Sequence, residues 1–174
     1  MTSDILSKHW VKLAEALKSY IKDYDYGVFP YTKRGNEANF QASLFYELVK
    51  NHDYPEVELE TSFGKMKPDL VLGEDKVMCE IKTTAGEKRV VKDIEKAMQY
   101  LEIAPISVVI VNCQYSASGA LKSYLDNNKY NLLPVEMLNT LPAEKSYYML
   151  RFEKTIDRGI YLIVNVKESA SSSV

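Results

Sequence analysis

Two periodicities divide the chain. Over residues 4–23, Leu6, Trp10, Leu13, Leu17 and Tyr20 recur at helical spacing and make one apolar stripe. A loop with Gly27 and Pro30 follows over 23–31. Residues 36–50 predict a second helix, with Glu37, Gln41, Leu44 and Leu48 on one face. After a turn at 52–55, residues 56–63 alternate: Val57, Leu59 and Phe63 face one way, Glu58 and Glu60 the other, which predicts a strand. Residues 67–82 then read as strand, turn and strand, closed by Gly73-Glu74-Asp75. A third helix is predicted over 87–103, burying Val90, Val91, Ile94, Ala97, Met98 and Leu101. The unbroken apolar run 106–111 suits a strand covered on both faces. A further helix at 118–128 carries Leu121, Tyr124 and Leu125. Two strands, 147–152 and 160–166, are joined around Asp157-Arg158-Gly159 and could extend the sheet edge.

The second strand of the 67–82 hairpin changes the picture. Side chains alternate across a strand, so Val77, Cys79 and Ile81 share one face while Met78, Glu80 and Lys82 share the other. A carboxylate and an ammonium thus project together from a strand apolar enough to be buried, next to Asp69 at the start of the first strand. Charge placed in a buried sheet usually has a task.

Pro68-Asp69, a ten-residue gap and Glu80-Ile81-Lys82 resemble the PD-(D/E)xK motif of the restriction-endonuclease-like nucleases, without substitution at Asp69, Glu80 or Lys82. The resemblance spans about 36–112. It implies an α/β fold with a mixed β-sheet flanked by helices in the order αβββαβ, to which the N-terminal helix and C-terminal β-hairpin would be additions. It implies a Mg2+ (or Mn2+) site formed by Asp69, Glu80, the backbone carbonyl of Ile81 and a first-helix acid. Glu37 is the choice for that acid, its plainer role being to complement the helix dipole. Glu47 is the alternative and reads as a solvated residue. Lys82 would orient the attacking water and stabilise transition-state charge. Some branches of the family carry Gln-x-x-x-Tyr on the next helix. Here Gln99 is present, but position 103 is Ile and Tyr100 follows Gln99 directly, so Gln99 is a secondary candidate, as is Gln41.

The expected activity is hydrolysis of DNA phosphodiester bonds, the alternative a catalytically silent nucleic-acid-binding or assembly module of the same fold. Lys65, Lys67, Lys88, Arg89 and Lys92 are candidate phosphate contacts. Lys88, Lys92 and Lys96 form a stripe four residues apart that suits a solvated face as well as a phosphate track. Many nucleases of this fold work as dimers, so a homodimer is a further expectation.

Composition adds little. With 22 basic and 24 acidic residues the net charge is -2, which neither advertises nor excludes nucleic-acid binding. The 174 residues suit one domain, expected over 1–168, with a small polar tail at 169–174 expected to be disordered. Cys79 and Cys113 have no metal-ligand spacing and make no disulfide framework, which points to a reducing cytoplasm. No run is long enough for a membrane span and no signal-peptide core is seen. His9 and His52 are the only histidines, His9 reads as structural, and no Gly-x-Ser-x-Gly, Walker loop or His-Glu-x-x-His motif occurs. The 13 tyrosines suit core edges and amphipathic surface.

Overall fold

A computed structural model describes residues 2–25, 37–83, 86–114, 118–152 and 158–168. The loop expected at 23–31 lies outside the described residues from 26 onward, as do Asp157 and the tail 169–174. In chain order the elements are α1 (Thr2–Asp25), α2 (Glu37–Tyr46), β1 (Val57–Leu59), β2 (Leu70–Leu72), β3 (Val77–Thr83), α3 (Glu87–Gln99), β4 (Ile106–Gln114), α4 (Ser118–Asn127), β5 (Asn131–Leu132), β6 (Ser146–Arg151) and β7 (Arg158–Val166).

The described strands form one mixed sheet in the order β1-β2-β3-β4-β7-β6-β5. β1, β2 and β3 run as an antiparallel meander. The crossover through α3 then lays β4 parallel to β3, with Glu80 opposite Val109 and Lys82 opposite Val111. Helices cover both faces. Val77, Cys79 and Ile81 pack with Val108, Ile110, Leu162 and Val164 beneath α1 and α2. Met78 packs on the other face with Val109, Val111 and Ile163, under Val90, Ile94 and Ala97 of α3 and Leu121 and Leu125 of α4. Each fully buried aliphatic side chain contributes on the order of 1.5–3 kcal/mol to folding. The two-faced burial explains the near-continuous apolar runs of β3 and β4. The chain is therefore a mixed α/β protein.

Several expectations need correction. β1 is three residues long and Leu59 is exposed, because Glu60 turns to φ 50° and ends the strand. Beyond it Phe63 and Met66 form an isolated antiparallel bridge. α1 continues through Asp25. α3 ends at Gln99 and tightens into a turn of 3₁₀ helix over Tyr100–Glu102. That turn buries Tyr100, leaves Leu101 half-buried and exposes Met98. Glu47 is not solvated. α2 passes into a π-helical turn, Glu47–Asn51, that carries the Glu47 side chain to 0% exposure.

The C-terminal strands do extend the sheet, but not as a fringe. β7 pairs antiparallel with β4 over nine positions, and β6 and β5 lie beyond it. Arg158 and Gly159, expected in the turn, are the first residues of β7. β5, two residues long and parallel to β6, gave no sequence signal.

Candidate functional site

The hairpin and α2 fix Asp69 from three sides. Its N–H donates to the Cys79 carbonyl at 2.9 Å. Its own carbonyl accepts the Gln41 side-chain amide at 2.8 Å and the Glu60 N–H at 3.2 Å. Its carboxylate Oδ2 accepts the backbone N–H of Ile81 at 2.7 Å. Little freedom remains, so the carboxylate is presented at a fixed angle at the mouth of β2. Burial pushes the Asp69 carboxyl above its ordinary value, the Ile81 N–H opposes this, and the nearby charge of Glu37 adds to it.

Glu80 lies one strand over, on the face that looks toward α3, and is 5% exposed. One oxygen, Oε1, accepts the Lys96 ammonium at 2.7 Å and also the Tyr100 hydroxyl. Burial raises the Glu80 carboxyl; Lys96 and Tyr100 hold it down by hydrogen bonding, and the charge of Asp69 raises it further. Asp69 and Glu80 therefore sense each other, and Lys96 acts on both.

Lys82 shares the Glu80 face and is half-buried. Its ammonium stands 3.2 Å from Glu37 Oε2 at the start of α2 and 3.5 Å from Asp93 Oδ2 on α3. Burial works against the ammonium, but the two carboxylates outweigh it and raise its pKa above the ordinary lysine value. Lys82 is thus a proton-bearing group at neutral pH.

The structure brings Glu37, Gln41, Asp69, Glu80 and Lys82 to one place. Glu37 reaches it through Lys82 and Gln41 through the Asp69 backbone. Ile81 offers its N–H to Asp69 while its side chain lies in the core under α1 and α2. Gln99 is not part of the group: it is exposed, because the row of α3 that reaches the site runs through Asp93, Lys96 and Tyr100. Lys96 consequently leaves the expected phosphate stripe and turns to Glu80. Lys65, Lys88, Arg89 and Lys92 are exposed, and Lys67 is exposed and paired with Glu60 at 2.7 Å. Sequence reasoning missed Asp93 and Tyr100. Their signal was the i, i+3, i+7 spacing of 93, 96 and 100 beside the buried stripe of 90, 94 and 97.

The donor set can be tested against a divalent ion. Among the described residues, no group of three or more His, Cys, Asp or Glu side chains is arranged to hold a metal by itself. Magnesium asks for less: one or two carboxylates, with waters and substrate phosphate completing its shell. Asp69 and Glu80 supply hard oxygen donors that burial has made costly to ionise alone. The Lys96 ammonium pairs with Glu80 Oε1 at 2.7 Å, so this carboxylate carries a positive partner from within the fold. Glu37, Asp69, Glu80 and Asp93 also outnumber Lys82 and Lys96, leaving a formal excess of negative charge when all are ionised. In donor type and number, Asp69 and Glu80 meet that smaller requirement.

Away from this cluster the reactive groups are structural. His9 is buried with Nδ1 2.5 Å from the Tyr54 hydroxyl. Cys79 and Cys113 are free, buried thiols, and burial pushes both pKa values up. No described helix is long and apolar enough to cross a membrane.

Fold and site together define a mixed α/β protein with a cluster of acids and amines at one end of a hairpin. Set against known proteins, the chain matches no family model, no curated protein and no solved structure.

Proposed function

We propose that the protein is a metal-dependent nuclease that hydrolyses DNA phosphodiester bonds, built on a restriction-endonuclease-like core at about 36–112. The observation that carries this reading is the convergence of Asp69, Glu80 and Lys82 from two adjacent strands, with Glu37 closing the group from α2. The order α2, β1, β2, β3, α3, β4 supports it.

Phosphodiester hydrolysis needs an attacking hydroxide, stabilisation of charge on the phosphoryl oxygens, and help for the leaving oxygen. Asp69 and Glu80, with the Ile81 carbonyl and Glu37 as further donors, would hold magnesium or manganese, which would supply Lewis acidity and lower the pKa of water. Lys82, kept protonated by Glu37 and Asp93, contributes a fixed positive charge and a hydrogen-bond donor to the pentavalent phosphorane-like transition state. Gln41 holds the Asp69 backbone in place. Lys65, Lys88, Arg89 and Lys92 are the candidate contacts to the DNA backbone.

One observation favours a second reading, a silent DNA-binding or assembly module of the same fold. Lys82 and Lys96 already neutralise acids of the cluster from within. Incubating supercoiled plasmid with the protein in magnesium, manganese or chelator separates the two. Nicking that disappears with chelator supports the enzyme. Retarded but uncut plasmid in every condition overturns it in favour of the binding module.

A further inference from the structure

We propose that Lys96 is a built-in placeholder for the divalent cation, competing with it for the Glu80 carboxylate. The inference rests on the site reading above and adds a residue that the motif does not contain. Lys96 Nζ lies 2.7 Å from Glu80 Oε1, on an acid whose side chain is only 6% exposed. The Lys96 side chain is itself 45% exposed. The ammonium therefore caps a buried carboxylate from the solvent side and has water to return to. Lysine suits that role, being a compact charge on a flexible stem with no planar fork to lock it in place.

The site's other amine cannot serve. Lys82 is held between Glu37 and Asp93, from α2 and α3, so its charge is committed on both sides. Tyr100 shares Glu80 Oε1 with Lys96 and is buried one helical turn further along. When Lys96 leaves, Tyr100 remains to hold the carboxylate's orientation. The placeholder thus spares a nearly buried acid from standing uncompensated while the cation is absent. In exchange, the ammonium must be displaced before the ion binds.

A purely structural Lys96, which merely positions Glu80 for the ion, predicts the opposite sign. Titration of the full chain with Mn2+ by calorimetry at near-neutral pH, with circular dichroism as a check on folding, decides between them. Lys96→Gln keeps a donor and removes the charge. It should bind Mn2+ about tenfold more tightly than the unaltered protein, the order expected when one nearby like charge is removed from a partly solvated site. Lys96→Arg keeps the charge and can grip the carboxylate with two donors, so it should bind Mn2+ severalfold more weakly. Equal or weaker binding by folded Lys96→Gln overturns the inference while leaving the metal site standing. If Lys96→Gln does not fold, unchanged or tighter binding by Lys96→Arg overturns it instead. Absence of Mn2+ binding in all three proteins overturns both the inference and the site reading beneath it.

Discussion

Asp69 Oδ2 accepts the backbone N–H of Ile81 at 2.7 Å, so one carboxylate both belongs to the candidate site and ties the two strands that build it. The two roles can be separated. Asp69→Asn retains an acceptor for the Ile81 N–H and should hold stability to within about 1 kcal/mol. Asp69→Ala strands that N–H and should cost about 1–3 kcal/mol in urea denaturation. Both should abolish cleavage, since neither supplies a charged ligand. A destabilised but active Asp69→Ala would assign the residue to the hairpin alone.

Lys82 is held protonated by Glu37 and Asp93, which sets the alkaline behaviour of the site. A raised lysine pKa stabilises the fold below the unfolded value and is lost as pH rises through the folded one, above the ordinary 10.5. The rate should therefore show no loss assignable to Lys82 between neutral pH and that range. Lys82→Arg should retain partial activity and Lys82→Met should lose about 100-fold or more, as removal of a transition-state donor does. A pH–rate profile with a Lys82-dependent fall near neutrality would contradict this.

Glu47 carries a stability cost of its own. It is fully buried, no well-formed hydrogen bond closes on either carboxylate oxygen, and its polar neighbours pull in opposite directions, Asn51 lowering its pKa and the Asp23 carboxyl raising it. The nearest His52 nitrogen is 3.7 Å away. Burial raises its pKa, so on raising pH the unfolded chain gives up this proton before the folded one does. Glu47's contribution is fully present below the unfolded pKa and declines as pH climbs from there through the folded value. Glu47→Gln should accordingly be more stable than the unaltered protein above that window and lose its advantage in acid. Thermal melts across pH test this; parallel curves would count against it.

Gly73 opens the hairpin turn at φ 61°, and a Cβ there would stand 2.4–2.5 Å from the His9 ring. Gly73→Ala meets both the left-handed backbone cost, about 1–2 kcal/mol, and a clash with a buried ring. Equilibrium unfolding should show a loss of at least about 2 kcal/mol. A loss of no more than the backbone cost, about 1–2 kcal/mol, would mean that His9 moves aside, and an unchanged midpoint would contradict the strain at this position as well.

The hairpin was legible because a strand's period of two is strict: once β3 was placed, Glu80 and Lys82 had to share a face. The helices were legible where apolar residues made a clear stripe, as Leu13 and Leu17 do in α1. What escaped was set by tertiary contact. Lys96 looks like any exposed helical lysine until Glu80 is known to lie beneath it. Asp93 is anonymous until Lys82 arrives from another element. Glu47 reads as solvated because nothing local announces the π-helical turn that buries it. β5 is too short to show a period at all. β7 is apolar throughout, yet only its pairing with β4 reveals that it sits inside the sheet.

The most direct measurement is magnesium-dependent cleavage of an end-labelled DNA oligonucleotide, duplex and single-stranded, by the unaltered protein beside Asp69→Asn and Lys82→Met, each verified as folded. Cleavage by the unaltered protein alone, lost on adding chelator, is the predicted result. Equal cleavage by all three proteins, or none by any of them, would contradict the claim that these two residues do phosphodiester chemistry.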